Sequence, residues 1–110
     1  MRIASVALSE AVRGYDRLYD YRLSKEDGEK AKPGMRVLIP FGRANKIQSA
    51  WIVRISEGEK DRLKEISQIV DEEPLLSSEM IKLAEWMKPR YCCTFGDAIR
   101  IMVPAGANLK

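Results

Sequence analysis

Apolar and polar positions alternate with a period of two through the first part of the chain. Later they shift to helical spacing. Arg2 to Leu8 (R-I-A-S-V-A-L) sets Ile3, Ser5 and Ala7 against Ala4, Val6 and Leu8, which predicts a strand with Val6 and Leu8 toward a core. Ser9 to Arg17 reads as a polar connection. Leu18 to Leu23 (L-Y-D-Y-R-L) alternates again, with Leu18, Asp20 and Arg22 on one face and Tyr19, Tyr21 and Leu23 on the other. An aspartate inside a strand is disfavoured unless something uses it. Ser24 to Lys32 is charged, contains Gly28 and reads as a solvated loop.

Pro33-Gly34 is a turn signal, and Arg36 to Phe41 is the third predicted strand. Pro40 removes a ladder donor there, and Gly42 lets the backbone turn and expose its amides beside a ring and a cation. Such a place is a strand end, a binding patch, or both. Arg43 to Lys46 continues as a loop. Ile47 to Ile55 is the most strand-like run and pairs back as a hairpin with the Gly42–Lys46 loop at its tip. Ser56 to Lys64 is a charged excursion, Glu65 to Val70 a short fifth strand, and Asp71 to Pro74 breaks it.

Ser77 or Ser78 caps a helix whose apolar face is Ile81, Leu83, Ala84, Trp86 and Met87. Pro89 ends or kinks it near Lys88, with a further turn to Tyr91 left open. Thr94 caps a second short helix, F-G-D-A-I-R-I-M. Val103-Pro104 closes the ordered part, and residues 105–110 read as the start of a linker. The pattern predicts a mainly β, α+β domain. It is a small antiparallel barrel or curled sheet of about five strands, with one or two helices after it covering an open side.

Composition narrows the chemistry. At 110 residues, 45% hydrophobic and 32% charged, the chain is one domain's worth. It has no apolar run of membrane-spanning length and no signal pattern, so it reads as cytoplasmic with no membrane partner. It lacks histidine, which excludes His-based catalysis and imidazole ligation within these residues. Cys92 and Cys93 are adjacent and read as reduced, partly buried thiols, not as metal ligands. Net charge is +3, but residues 1–54 hold eleven Lys/Arg against six Asp/Glu, and residues 55–110 hold eight against ten. The basic first half suits an anionic partner.

Four pieces then stand in order: Leu18-Tyr19-Asp20-Tyr21; Pro33 to Arg43 (P-G-M-R-V-L-I-P-F-G-R); Leu63-Lys64-x-Ile66 leading to Asp71-Glu72-Glu73-Pro74-Leu75-Leu76; and Tyr91 followed by Phe95-Gly96-Asp97 and Val103-Pro104. This ordered set resembles the N-terminal domain of the PriA replication-restart helicases (primosomal protein N′), over nearly the whole chain. The resemblance implies a DNA-binding module, residues 1–104, that captures the 3′-hydroxyl end of a nascent leading strand at a stalled fork. Implied partners are single-stranded or forked DNA with a free 3′ end, the other domains of the same helicase, and primosome proteins. The ATP-hydrolysing core and zinc-binding cysteines of that family would lie in the parent protein. The chain itself shows no phosphate-loop motif and no spaced cysteine set, and is expected to carry no cofactor and no catalytic site. It is therefore expected to be a piece cut near the linker after Pro104. It departs from the family in Tyr19, where phenylalanine is commoner, and in a less glycine-rich Ala44–Gln48 loop.

A protein that binds any 3′ end must use the hydroxyl, the last sugar and phosphate, and a π-face. A carboxylate accepts the hydroxyl proton and repels a 3′-phosphate. Asp20 fits that role, Gly42 allows close backbone approach, Lys64 or Arg43 can neutralise the last phosphate, and Tyr19, Tyr21 or Phe41 can stack or wall the pocket. The plain structural alternatives pair Asp20 with Arg36 on the surface and put Tyr21, Trp51 and Trp86 in the core. Arg2, Arg13 and Arg17 read as general basic surface. Competing functions are a general single-strand-binding barrel of SH3-like or OB-like shape and an interdomain interaction module.

Overall fold

The computed structural model describes residues 1–10, 17–91 and 93–102. Arg13, Cys92, Pro104 and the residues 105–110 expected to begin a linker lie outside them. The strands are β1 (Arg2–Leu8), β2 (Leu18–Arg22), β3 (Arg36–Phe41), β4 (Lys46–Glu57) and β5 (Gln68–Ile69), and the helices are α1 (Lys25–Lys30), α2 (Ser78–Tyr91) and α3 (Phe95–Met102). The strands form one antiparallel sheet in the order β2-β1-β4-β3-β5.

Alternation makes the central strands serve two cores. Ala4, Val6 and Leu8 of β1 and Ala50 and Ile52 of β4 meet Tyr21, Met35, Val37 and Ile39 inside the curl. Ala7, Trp51 and Val53 point the other way, onto Ile81, Ala84, Phe95, Ala98 and Ile99 of the helices. A register shift between Ser5 and Val6 sets Ile55 opposite Ala4 and Ile52 opposite Val6. Such a bulge bends and twists the strand locally, and it keeps Ile52 and Ile55 on the same core despite their odd spacing.

Of the two predicted forms, barrel or curled sheet, the curled sheet is found. The curl brings the free edge of β2 to the segment entering β5. There the Arg22 N–H donates to the Lys64 carbonyl (2.9 Å), and the Ile66 N–H donates to the Arg22 carbonyl (3.1 Å). This is one isolated parallel bridge between Arg22 and Glu65, not a closing ladder.

Three local expectations change. Ser24–Lys32 is not a solvated loop: it contains α1, capped by Ser24, whose hydroxyl accepts from the Asp27 N–H, with Lys30 in its last turn. The fifth strand is shorter than Glu65–Val70, since only Gln68 and Ile69 qualify. Trp86 is not core: it is 47% exposed, and the Arg90 guanidinium lies 4.2 Å from its ring centroid. Ile81 and Ala84 carry the buried stripe of α2, and Leu83 and Trp86 fall outside it. Pro89 is accommodated inside α2, which runs on to Tyr91.

The Pro-Gly turn locks the sheet to the rest of the fold. Gly34 has φ +95, and a Cβ there would stand 2.2 Å from the Leu76 carbonyl oxygen. Its own carbonyl accepts from Leu75 (3.0 Å), and its N–H donates to Ile52 (2.7 Å). Next to it Arg36, 7% exposed, forms a bidentate pair with Asp71 while its backbone N–H donates to the same carboxylate (2.8 Å). Trp51 is buried as expected, with the Arg36 guanidinium 5.9 Å from its ring. Cys93 carries a free thiol, partly packed on the second core.

Candidate functional site

β5 pairs only with Val37 and Leu38 of β3. Beyond them, among the described residues, the outer edge of β3 has no strand partner from Pro40, which has no N–H to offer, to Gly42. The β2 edge lies across from it, brought there by the Arg22–Glu65 bridge. Between the two edges is a concavity of about 340 Å³ lined by Tyr19, Asp20, Tyr21, Phe41, Gly42, Arg62, Leu63 and Lys64.

The aromatic wall is made by β2 and the end of β3. Tyr19 and Phe41 pack edge to face, with centroids 5.0 Å apart and planes at 84°, a favoured arrangement for two rings. The Arg17 guanidinium lies 5.4 Å from the Tyr19 centroid. Tyr21 is buried, and its hydroxyl donates to the Pro40 carbonyl at 2.7 Å. Burial pushes its phenol pKa up, with the neighbouring Tyr19 adding to this, so it remains a neutral donor. Tyr21 is thus both core and wall.

Gly42 has φ +76, a conformation costly to other residues, and a Cβ there would meet nothing within 4 Å. Its carbonyl accepts from the Asn45 N–H (3.1 Å), closing the hairpin, and from Lys64 Nζ (2.7 Å). Lys64 is exposed yet placed twice, by its side chain on Gly42 and by its carbonyl on Arg22. Arg43 stands in the exposed turn that follows and does not line the concavity. Of the predicted cations Lys64 is in the wall, and Arg62 takes the second place.

Asp20 pairs across the sheet with Ser5, while Tyr21 pairs with Ala4. Its side chain therefore leaves β2 on the face opposite Tyr19 and Tyr21. The Ser5 hydroxyl donates to Oδ1 at 2.7 Å, and Lys60 Nζ is bonded to Oδ2. These bonds, Lys60's first and Ser5's second, hold the carboxyl below the usual aspartate range. The expected alternative of an Asp20–Arg36 pair is not found, because Arg36 belongs to Asp71 on the far side of β3.

The site thus combines ring faces, a positioned ammonium and an ionised carboxylate at its rim. That set suits binding a terminal nucleotide more than bond-breaking. Among the described residues no group of three or more Cys, Asp or Glu stands close enough to hold a metal ion, and no helix is long and apolar enough to cross a membrane. Ser5, Lys60 and Arg62 had not been singled out from sequence. Lys60 and Arg62 sit in a charged run whose pattern has no direction, and Ser5 becomes informative only once the β1–β2 register is known.

Comparison with known proteins adds an independent observation. A family model described as the PriA 3′DNA-binding domain (3′BD) matches residues 5–104. The replication restart protein PriA of Bacillus subtilis (strain 168) is 28% identical over 113 residues, covering 100% of this chain and 14% of its own length. The probable replication restart protein PriA of Mycobacterium tuberculosis (strain ATCC 25618 / H37Rv) is 33% identical over 92 residues, covering 82% of this chain. The replication restart protein PriA of Treponema pallidum (strain Nichols) is 30% identical over 97 residues, again 82% of this chain. The chain spans 14% of the length of each of these relatives.

Proposed function

The chain belongs to the PriA 3′DNA-binding domain family, and on that premise we propose that the concavity between the β2 and β3 edges receives the last nucleotide of a DNA strand by its free 3′-hydroxyl. One observation carries this reading. Sequence pieces that are far apart, Tyr19-Asp20-Tyr21, Phe41-Gly42 and Lys64, line one small concavity. Tyr19 and Phe41 offer ring faces to the terminal base and sugar, which any base can use. Lys64 faces the last phosphodiester. Asp20 accepts the hydroxyl proton at the rim, in a charge-assisted hydrogen bond that a 3′-phosphate cannot make.

In the whole protein, this module would capture the 3′ end of the nascent leading strand at a stalled fork and deliver it to an ATP-driven helicase elsewhere in the parent chain. Primosome proteins would then assemble on that complex in the cytoplasm. Zinc and ATP with magnesium would belong to those other parts.

The test is a titration of one single-stranded oligonucleotide in three forms: with a 3′-hydroxyl, with a 3′-phosphate, and closed into a circle. The hydroxyl form is expected to bind best, by on the order of 1.5–3 kcal/mol over forms that cannot donate to a carboxylate. Equal binding of all three would return the domain to a backbone-tracking mode.

A further inference from the structure

Lys60 belongs to none of the sequence motifs that define the site, yet it is bonded to the carboxylate at the rim. Its ammonium holds Asp20 Oδ2 while Ser5 holds Oδ1. The other cation that acts on Asp20, Arg54, has a carboxylate of its own, with Glu85 3.8 Å away. Lys60 is 57% exposed and lies in the charged connection after β4, against 27% for Asp20. The rim is therefore a carboxylate and an ammonium presented together, not a bare negative charge.

The two ions act oppositely on the two forms of a strand end. An ionised carboxylate has acceptor positions to spare after two donors, so a sugar hydroxyl can add a third hydrogen bond without displacing Lys60. A 3′-phosphate is repelled by Asp20 and attracted by Lys60, and the attraction offsets part of the repulsion. Resting on the reading of the concavity as a 3′-end site, we infer that Lys60 is a specificity-determining residue, which lowers the discrimination between hydroxyl and phosphate ends that Asp20 alone would impose. The module then tolerates a phosphate-bearing end to a degree set by a single exposed side chain.

The experiment measures dissociation constants of a 5′-labelled single-stranded oligonucleotide with a 3′-hydroxyl or a 3′-phosphate, for the wild type, K60A, K60R, S5A and D20N. K60A is expected to keep hydroxyl-end affinity and weaken phosphate-end affinity, raising the ratio by about three- to tenfold, the size of one screened charge interaction. K60R keeps the cation and is expected to restore the wild-type ratio. S5A removes a hydrogen bond but no charge, and is expected to leave the ratio within about twofold of wild type. One result overturns the inference while leaving the site reading intact: K60A with an unchanged ratio, whether both affinities are kept or both fall equally as with an ordinary phosphate contact, while D20N still reduces the discrimination. A wild type that does not distinguish the ends overturns the site reading, and the role of Lys60 with it.

Discussion

At the scale of single residues, the ionised state of Asp20 does most to set the chemistry. Asn in its place still accepts from Ser5 and still presents an oxygen, but it neither attracts Lys60 nor repels a phosphate. D20N is therefore expected to bind hydroxyl ends about 1 kcal/mol more weakly and to lose much of its discrimination, read by the two-ended titration. The same substitution bears on stability. The carboxyl of Asp20 is held below the usual range in the fold by Lys60 and Ser5. A lowered folded value stabilises above the unfolded aspartate value of about 3.9 and is lost as pH falls through the folded one. Urea melts of D20N between about pH 5 and 2 should accordingly lose less stability on acidification than the wild type. A parallel fall would mean the pair contributes nothing to the fold. The ordered motifs single out Tyr19, Tyr21, Phe41, Gly42 and Lys64 at this scale, and the fold brings them to one concavity. The partner of Asp20 was not, because charges meet across strands only once sheet order is fixed, and Arg36 is drawn to Asp71 instead.

At the scale of elements, alternation foretold four strands well, and helical spacing after a serine cap foretold the longest helix except for the way it faces. α1 was missed because its residues, K-E-D-G-E-K, have no apolar stripe. Its signal was the cap: Ser24 followed three residues on by Asp27, a start pattern that a charged run hides. Trp86 was misplaced because an apolar residue at near-helical spacing was assumed to share the stripe of Ile81 and Ala84, and it sits instead under Arg90. The most deeply buried ion pair among the described residues joins β3 to the segment before α2. Arg36 and Asp71 are both nearly buried, at 8% and 10% side-chain exposure. Removing one partner leaves the other charge buried without compensation, which costs about 3–5 kcal/mol. D71A is expected to lower stability by that order in urea melts, and D71N by less, since an amide still accepts from the Arg36 backbone N–H. Small and equal losses in both would mean that water replaces the carboxylate.

At the scale of the whole molecule, the net charge of +3, even with its surplus in the first half, is small for binding a long strand by charge alone. A site that grips one terminus touches one or two phosphates, so the slope of log affinity against log salt is expected to be about −0.7 to −1.5, with K64A flatter by about one phosphate's worth, ~0.7. A steep slope on long oligonucleotides, insensitive to Lys64, would contradict end capture. The curl carries a consequence of another kind. One wall of the concavity is stitched to the other by the two main-chain hydrogen bonds at Arg22, to Lys64 and from Ile66. This seam can part without disturbing the β1–β4 ladder behind it, so the amides of Arg22 and Ile66 are expected to exchange with solvent deuterium through a low-energy local opening. The β1 and β4 amides should exchange only through global unfolding. A bound strand end spanning the seam should slow exchange at both positions together. The lifetime of the closed seam, which the Tyr21 hydroxyl on the Pro40 carbonyl also helps to hold, would then limit how fast the end escapes, making residence time on the strand a property of the bonds between the walls as well as of the contacts to the nucleotide.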